Sequence, residues 1–307
     1  MAKKQLYLCV DRPVPFEHKI EAGKIAVEES KLNEPPPIVL PAGASFHPFK
    51  MAIFTGKMWD NRTKRTIGVK FLDGTKKQKA QTQKYASVWS QFANIEFNFK
   101  AGANAEIRVS FSFDSGSWSA LGVDCLVRSA FPKSEPTMNF GWLKDNTSEE
   151  EWRRVVLHEF GHALGAIHEH QNPKGGIQWN LPAVYKAFSG PPNNWSKPDI
   201  DFNIVQKYSA TQLNATEFDG DSIMLYSFPA ELLLSKAATR NNTDLSARDK
   251  SFIAERYPKQ APKPKGTAAI AAAASPRLPI AAPASRYATV GGVAGSPAAA
   301  APRARAR

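Results

Sequence analysis

Four of the six histidines of this 307-residue chain lie in one short segment, HEFGHALGAIHEH, which runs from His158 to His170. On a helix, His158 and His162 project from the same face and can bind one ion. Gly165 can adopt the left-handed conformation that ends a helix, so the chain can turn back and bring His168 to that ion. Three protein ligands leave the fourth position of a tetrahedral zinc ion open, as in catalytic rather than structural sites.

Glu159 lies beside the first of these histidines, and its carboxylate can take a proton from a zinc-bound water and pass it to a leaving amine. A zinc ion lowers the pKa of bound water toward about 7 and polarises a carbonyl group. The segment therefore predicts one catalytic Zn²⁺ held by His158, His162 and His168, and hydrolysis of internal peptide bonds in proteins. His170 should point away from the ion, in a solvated or supporting position.

Hydrophobic patterns predict the elements around this segment. An apolar run predicts a strand from Ile67 to Phe71, and a stripe containing Tyr85 and Trp89 predicts a helix from about Lys77 to Ala93. Alternating apolar residues predict three further strands, at 95–99, 107–113 and 138–142. The first two of these strands should each have one buried face. Trp118, just after the second of these strands, is expected to pack rather than to line a cleft.

Capping signals mark the helices. Ser148 and Glu151 form a possible capping box in front of the histidine helix, and Ser246 with Asp249 caps a last helix that ends at Tyr257. Shorter helices are predicted at 181–188 and 201–208. Asp219 and Asp221 resemble part of a calcium loop, but a turn explains them better.

Three regions are expected along the chain. Residues 1–48 are an N-terminal extension without sustained periodicity, broken at Glu34-Pro35-Pro36-Pro37, and are a possible pro-segment. Residues 49–258 form the catalytic domain. Residues 259–307, rich in Ala, Pro and Arg, contain too few large apolar side chains to fold, and we expect them to be disordered.

Charge and cysteine content restrict the remaining possibilities. Eight of the basic residues behind the net charge of +12 lie in the tail from Lys259 onward, which contains no acidic residue, so the body carries about +4. Nucleic acid is therefore an unlikely partner of the body. The two cysteines, Cys9 and Cys125, are expected to be free thiols, although Cys9 could be a removable thiolate ligand on the metal if the N-terminus folds back. No membrane span and no secretory signal are recognised.

The segment HEFGHALGAIH resembles the metzincin pattern H-E-x-x-H-x-x-G-x-x-H, which also requires a methionine-containing turn downstream. Ser222-Ile223-Met224-Leu225-Tyr226 is similar to the Met-turn of the astacin-like branch, and Glu169 follows the third histidine as it does in astacins. We therefore identify the chain as similar to astacin-like metzincins over about residues 59–257.

This resemblance implies an α+β metzincin-type zincin fold: a twisted, mostly parallel sheet of five strands with an active-site helix and a small C-terminal subdomain after Gly165. It implies that Met224 lies under the zinc ligands and that Tyr226 is a catalytic residue that moves off zinc to stabilise the oxyanion. It also implies that the strand Met138–Trp142 is the cleft edge that binds an extended protein or peptide substrate. Secretion is suspected from the resemblance alone, and a monomer is expected.

The sequence departs from astacins at several positions. The cysteines are too few for the usual structural disulfides, and Leu225 replaces the histidine that commonly follows the turn methionine. In astacins, the glutamate after the third histidine contacts the N-terminus created by processing. Glu169 could instead orient the neighbouring ligands.

A second function remains open from the sequence. The chain could be a non-catalytic zinc protein that binds an anionic partner through its basic tail. The intact Glu159 favours the enzyme instead, since a structural site is usually closed by a fourth protein ligand and none is apparent in this segment.

Overall fold

A six-stranded sheet and a long helix packed on it position the histidine segment. The computed structural model describes residues 9–34, 56–114, 116–191, 193–208 and 217–259. The strands are β1 (Cys9–Asp11), β2 (Arg65–Phe71), β3 (Ile95–Asn98), β4 (Ile107–Ser110), β5 (Ser117–Ser119) and β6 (Met138–Phe140). The helices are α1 (Lys19–Glu29), α2 (Lys76–Ala86), α3 (Glu149–Ala163), α4 (Leu181–Phe188), α5 (Lys197–Ile200) and α6 (Ala247–Arg256).

The strands are ordered β1-β5-β6-β4-β2-β3. All neighbouring pairs are parallel except β5 and β6, which run antiparallel with Trp118 opposite Asn139. Strands β2 to β6 form the expected mostly parallel sheet of five strands, and β1 from the N-terminal region adds a sixth. With α3 against the sheet, the chain has the α+β metzincin-type fold that the sequence predicted.

Aromatic side chains join α3 to the sheet. The ring of Phe160 meets that of Phe97 edge-on, with centroids 4.9 Å apart, and Trp152 meets Phe111 at 6.3 Å. All four side chains are buried. Burial of this size is worth about 2 kcal/mol or more per large side chain, so these contacts fix the helix on the sheet.

The burial of β3 and β4 differs from the prediction in one respect. Strand β3 alternates buried and exposed residues, as expected for one buried face. Strand β4 is buried at all four positions, because it lies between β2 and β6 and both of its faces are covered. The guanidinium group of Arg108 is accommodated there by donating to the carbonyl oxygens of Phe131, Pro132 and Glu135.

The helices also differ from the sequence pattern in places. The predicted helix at 77–93 ends at Ala86 and is followed by a 3₁₀ turn at Trp89–Gln91. Of the predicted helix at 201–208, only a single π-helical turn forms, Asp201–Val205, and it continues the four-residue helix α5 that precedes it. Helix α1 was not predicted, because its buried face consists of the small residues Ala22, Gly23 and Ala26 rather than large apolar ones.

The prediction that Met138–Trp142 forms the cleft edge is wrong. Strand β6 is paired on both sides, with β4 and with β5. Among strands β2 to β6, the outermost on this side of the sheet is β5. This three-residue strand follows β4 along the chain but lies beyond β6 in the sheet. The open side of β5 is occupied by β1, with Cys9 opposite Ser117 and Asp11 opposite Ser119.

No helix within the described ranges is long and apolar enough to cross a membrane. The predicted disorder of the tail concerns residues that, apart from Lys259, lie outside the described ones. Both cysteines are buried free thiols, as predicted.

Candidate metal centre

Helix α3 holds the first two histidines, and its two ends are fixed by side-chain and backbone hydrogen bonds. The hydroxyl of Ser148 accepts from the amide of Glu151 at 3.3 Å, which confirms the predicted N-cap. The reciprocal half of a capping box does not form. The Glu151 carboxylate instead accepts two bonds from Arg154, at 2.7 and 2.8 Å, and one from Trp142 at 3.0 Å.

Gly165 ends α3 in the left-handed conformation, with φ of 93°, as the sequence predicted. Its amide donates to the His162 carbonyl at 2.8 Å, and the amide of Ala166 donates to the Gly161 carbonyl at 3.0 Å. This is the Schellman pattern, in which backbone amides beyond the helix satisfy its last carbonyl groups. The reversal it produces returns the chain toward the helix and places His168 beside His162.

The three predicted ligands meet at their Nε2 atoms. The Nε2 atom of His162 lies 3.1 Å from that of His158 and 3.0 Å from that of His168. All three side chains are almost completely buried. Within the described residues, this is the group of three or more histidine, cysteine or acidic side chains that could hold a metal ion.

Hydrogen bonds on the far side of two rings determine which nitrogen faces the centre. The Nδ1 atoms of His158 and His162 lie 2.8 Å from the carbonyl oxygens of Ile223 and Ala166. A carbonyl oxygen can only accept, so each Nδ1 carries a hydrogen, and the neutral form of each ring presents an Nε2 lone pair to the centre. Burial, and after it the proximity of His162 and His168, lowers the pKa of His158 well below its ordinary value, which favours the neutral form of that ring.

These facing lone pairs fit a metal ion. Two lone pairs about 3 Å apart repel each other unless a cation lies between them. Tetrahedral ligands bound at 2.0–2.1 Å are roughly 3.3 Å apart, close to the spacing found here. The donor set of three imidazole nitrogens is suited to Zn²⁺ among common ions. The histidine cluster is therefore positioned to bind a metal.

The turn at Ser222–Tyr226 lies against α3 from the other side of the site. Met224 is buried and touches the glycine between the first two histidines: a Cβ atom on Gly161 would lie 2.5 Å from the Met224 sulfur. The amide of Glu169 donates to the Met224 carbonyl at 3.0 Å, so the chain after His168 is also joined to this turn.

Asp249, the N3 residue of α6, holds the turn in place. Its carboxylate accepts from the Ser222 hydroxyl at 2.7 Å and from the Ile223 amide at 2.8 Å. The Ile223 carbonyl in turn accepts from His158. Burial raises the pKa of Asp249 above its ordinary value. The capping box predicted for the last helix thus also orients the first histidine.

Tyr226 and His170 lie in a stack of rings that extends from the centre. The Tyr226 hydroxyl contacts the Nε2 atom of His168. The His170 ring lies 4.9 Å from Tyr226 and 5.3 Å from Phe228, and its Nε2 atom is 3.0 Å from the Asn203 carbonyl. His170 is outside the metal-binding group, as predicted, but it is buried rather than solvated.

Glu159, the residue after His158 on α3, is completely buried, and a residue from the N-terminal segment lies near it. That residue is Cys9 of β1, whose thiol lies close enough to the Glu159 carboxylate to be affected by its charge. Burial and the negative charge of Glu159 raise the pKa of Cys9 well above its ordinary value, which favours the neutral thiol. Cys9 does not belong to the metal-binding group of described residues, which consists of the three histidines.

Glu169 is directed toward the turn. Its carboxylate accepts from the Asn172 side chain at 3.0 Å and from the Asp219 amide at 2.9 Å. Burial, together with Asp219 and Asp249, raises the pKa of Glu169 to about 7. The Asp219 carboxylate accepts from the Asp221 amide and from the Ser246 hydroxyl, which supports a turn at this position.

Three features around the site were not predicted from the sequence. Gly161 was not identified as important, although its lack of a side chain makes room for Met224. The second role of Asp249 and the proximity of Cys9 to Glu159 join residues far apart in the chain. No local pattern could have signalled either of them.

Comparison with known proteins gives relatives only among solved structures. No protein-family model matches the chain, and no curated protein does. One structure of myroilysin is 44% identical, with a TM-score of 0.63, and the match covers 67% of this chain and 97% of that one. A second myroilysin structure is 38% identical, with a TM-score of 0.53 and coverage of 83% and 99%. A hatching enzyme zinc-protease of the medaka fish Oryzias latipes, high choriolytic enzyme 1, matches at 17% identity and a TM-score of 0.43, covering 62% of this chain and 88% of that one.

The sheet, the helix and the buried three-histidine centre define a metzincin-like protein. At 44% identity over nearly the whole of the matched structure, the chain belongs to the same family as myroilysin.

Proposed function

We propose that this protein is a zinc-dependent metalloendopeptidase of the astacin-like branch of the metzincins. The observation that carries the proposal is the convergence of three buried Nε2 atoms, two of them presented as lone pairs by backbone carbonyls. His158, His162 and His168 would hold one zinc ion. When bound, zinc polarises the scissile carbonyl and makes water nucleophilic at neutral pH.

Glu159 is proposed as the general base. It follows His158 directly on α3, and its side chain is completely buried. It would take a proton from the attacking water and return it to the nitrogen of the leaving amine. Such proton transfer contributes about 10²- to 10⁴-fold to the rate, so Glu159 should matter far more for turnover than for metal binding.

Tyr226 is proposed as the second catalytic residue. Its hydroxyl contacts the Nε2 atom of His168, so it lies at the edge of the centre. A modest side-chain rotation would let this hydroxyl donate to the carbonyl oxygen as negative charge develops. Met224, packed against Gly161, is proposed to support the helix turn between the first two ligands.

The N-terminal segment is proposed to keep the enzyme latent. Strand β1 occupies the open side of β5, where an extended substrate would add a strand, and Cys9 of that strand lies near the proposed base. We propose residues 1–48 as a pro-segment, 49–258 as the catalytic domain and 259–307 as a basic tail. Protein or peptide substrates would bind along β5 after this segment leaves.

Casein hydrolysis tests the proposal. The full chain is assayed before and after limited digestion with chymotrypsin, which is then stopped with a serine-protease inhibitor. We expect little cleavage before digestion, cleavage after it, loss of cleavage with a chelator, and recovery with added zinc. If the protein binds zinc and neither form cleaves, the proposal fails. Binding of an anionic partner through the tail would then be the better account.

A further inference from the structure

The N-terminal segment stays hydrogen-bonded alongside β5 for one residue after β1 ends. Cys9 is paired with Ser117, and the amide of Arg12 donates to the Ser119 carbonyl at 3.2 Å. This is how an extended peptide binds to the open edge of a sheet. Arg12 lies three residues after Cys9, which is near Glu159, and three residues of extended chain span roughly 10 Å.

The Arg12 side chain lies over two aromatic rings. Its guanidinium carbon is 4.2 Å from the centroid of Trp118 and 5.1 Å from that of Phe113. The two rings meet edge to face, with centroids 6.0 Å apart. Both distances from the guanidinium carbon to a ring centroid fall within the range of cation–π attraction. An arginine that contacts two rings is held in a more specific position than an arginine that contacts one.

Asp114 supports this aromatic pair. One oxygen of its carboxylate accepts from the indole nitrogen of Trp118 at 3.0 Å, and the other accepts from Gly116 and Asn139. These bonds fix the orientation of the indole ring and place a negative charge beside it. The attraction of the ring face for a cation should increase as a result.

The pair is also partly accessible. Phe113 keeps 45% of its surface exposed even with Arg12 in place, whereas Trp118 is almost fully buried. Phe113 lies in the loop between β4 and β5, and its exposed ring meets Trp118 of β5, the strand that β1 covers. The patch combines features that recognise a positively charged, planar side chain.

We propose that Phe113, Trp118 and Asp114 form a subsite that selects a basic side chain, arginine above all, in the substrate. Arg12 is the occupant supplied by the chain itself. The inference rests on the proposed peptidase function and adds a substrate class: peptides with arginine or lysine two to four residues from the cleaved bond. Arginine should exceed lysine because its planar guanidinium stacks on aromatic faces.

The test uses full-length protein that carries Arg12→Ala, so that the side chain of Arg12 cannot compete for the subsite. This protein is digested with chymotrypsin as in the casein assay. Matched peptides carry arginine, lysine or norleucine at each position on either side of one cleavable bond. At one position we expect kcat/KM for arginine to exceed that for norleucine by about 3- to 30-fold. Equal rates at every position would overturn the proposal.

Three further variants assign the preference to the rings. Phe113→Leu, at an exposed position, should reduce the ratio of the arginine rate to the norleucine rate at least about 3-fold, and Trp118→Phe should reduce it as well. Phe252→Leu is the matched control, because Phe252 also lies under an arginine, Arg256, at 5.0 Å, but on α6. The control should leave the ratio unchanged. A ratio that is unaffected by Phe113→Leu and Trp118→Phe would exclude this subsite.

If no peptide is cleaved by any form, the peptidase function fails, and binding decides the subsite separately. A fluorescent peptide containing arginine is then titrated into full-length Arg12→Ala protein and followed by anisotropy. Tighter binding than that of its norleucine counterpart, lost in Phe113→Leu, supports the subsite. Equal binding of the two peptides shows that the aromatic pair is only an anchor for Arg12.

Discussion

At the scale of single residues, two histidine rings of the centre use both of their nitrogens: one bonds to a backbone carbonyl, and the other faces the centre. The Nδ1 atoms of His158 and His162 bond to Ile223 and Ala166, and the Nε2 atoms face the centre. Orienting groups of this kind commonly change metal affinity 10- to 100-fold when they are lost. The residues that position Ile223 should therefore contribute to the metal affinity of the site.

Asp249→Ala tests this dependence. The substitution leaves the Ile223 amide and the Ser222 hydroxyl without their buried acceptor, so we expect a loss of about 2–4 kcal/mol in the free energy of unfolding. Zinc affinity should fall about 10-fold or more, because the carbonyl that orients His158 is displaced. Urea denaturation and zinc competition titrations measure the two effects.

Asp199→Ala is the matched control. Asp199 holds the same N3 position in the capping box of α5, but it is exposed. Its loss should cost about 1 kcal/mol or less and leave zinc affinity unchanged. Equal zinc affinities in the two variants would refute the link between Asp249 and His158.

At the scale of elements, the end of α3 decides whether the third ligand reaches the site. Gly165 has a positive φ, and the two amides that close the helix come from Gly165 and Ala166. A Cβ atom at Gly165 would lie 3.4 Å from the nearest atom, the Lys57 carbonyl oxygen, so space is available for it. The cost of a side chain there comes from the backbone conformation.

Gly165→Ala should therefore destabilise the protein by about 1–2 kcal/mol, the cost of the left-handed conformation for a residue with a Cβ atom. It should also weaken zinc binding, because His168 follows directly from this turn. Thermal unfolding with and without zinc measures both. Gly190→Ala, at a glycine with open space and no positive φ, should change neither quantity. If both variants behave alike, the turn is not under strain.

The first turn of α3 predicts a dependence of stability on pH. Burial raises the pKa of Glu151, but the bonds from Arg154 and Trp142 and the charge of Arg154 outweigh it and lower the pKa below its ordinary 4.5. A carboxylate with a lowered pKa stabilises the fold above its unfolded-state pKa, and this stabilisation is lost as the pH falls below about 4.5.

Arg154→Met should remove that contribution and cost about 2 kcal/mol at pH 7, since the pair is mostly buried. The difference from wild type should shrink as the pH decreases from 5 to 3.5 in urea denaturation. A difference that stays constant over this range would show that Arg154 acts through packing alone.

The sequence predicted elements well where a local signal existed. The cap at Ser148, the reversal at Gly165 and the bounds of α4 follow from residues within a few positions of each other. Strand β5 was missed because its sequence, Ser-Trp-Ser, has one apolar residue and so no alternation, and helix α1 was missed because its buried residues are small. The histidine centre could be predicted because its three ligands lie within eleven residues of one another.

At the scale of the whole molecule, the order of the strands could not be predicted. The chain passes from β4 to β5 and returns to β6 between them, so the edge strand is not the one that the resemblance implied. The N-terminal segment then covers that edge and joins the body elsewhere: Glu29 pairs with Arg65, and Asn33 exchanges bonds with Met58. Such pairings depend on contacts between residues distant in sequence.

Metal removal should destabilise the whole domain. A ligand present at about 1,000 times its dissociation constant contributes about 4 kcal/mol, and 1 kcal/mol shifts the Tm of a domain of this size by about 2–4 °C. A chelator should therefore lower the Tm by roughly 10 °C, and zinc should restore it. His162→Ala protein should show no shift with chelator. A shift of equal size in that variant would place the metal elsewhere.

We propose Glu159 as the base that activates water at a zinc ion held by His158, His162 and His168. The most direct test compares wild-type and Glu159→Gln protein, both nicked with chymotrypsin, for zinc content and for kcat/KM on one peptide. We predict about one zinc per chain in both, and a rate about 10³-fold lower in the variant. A variant that retains zinc and cleaves at close to the wild-type rate would contradict the account, because another group would then be the base.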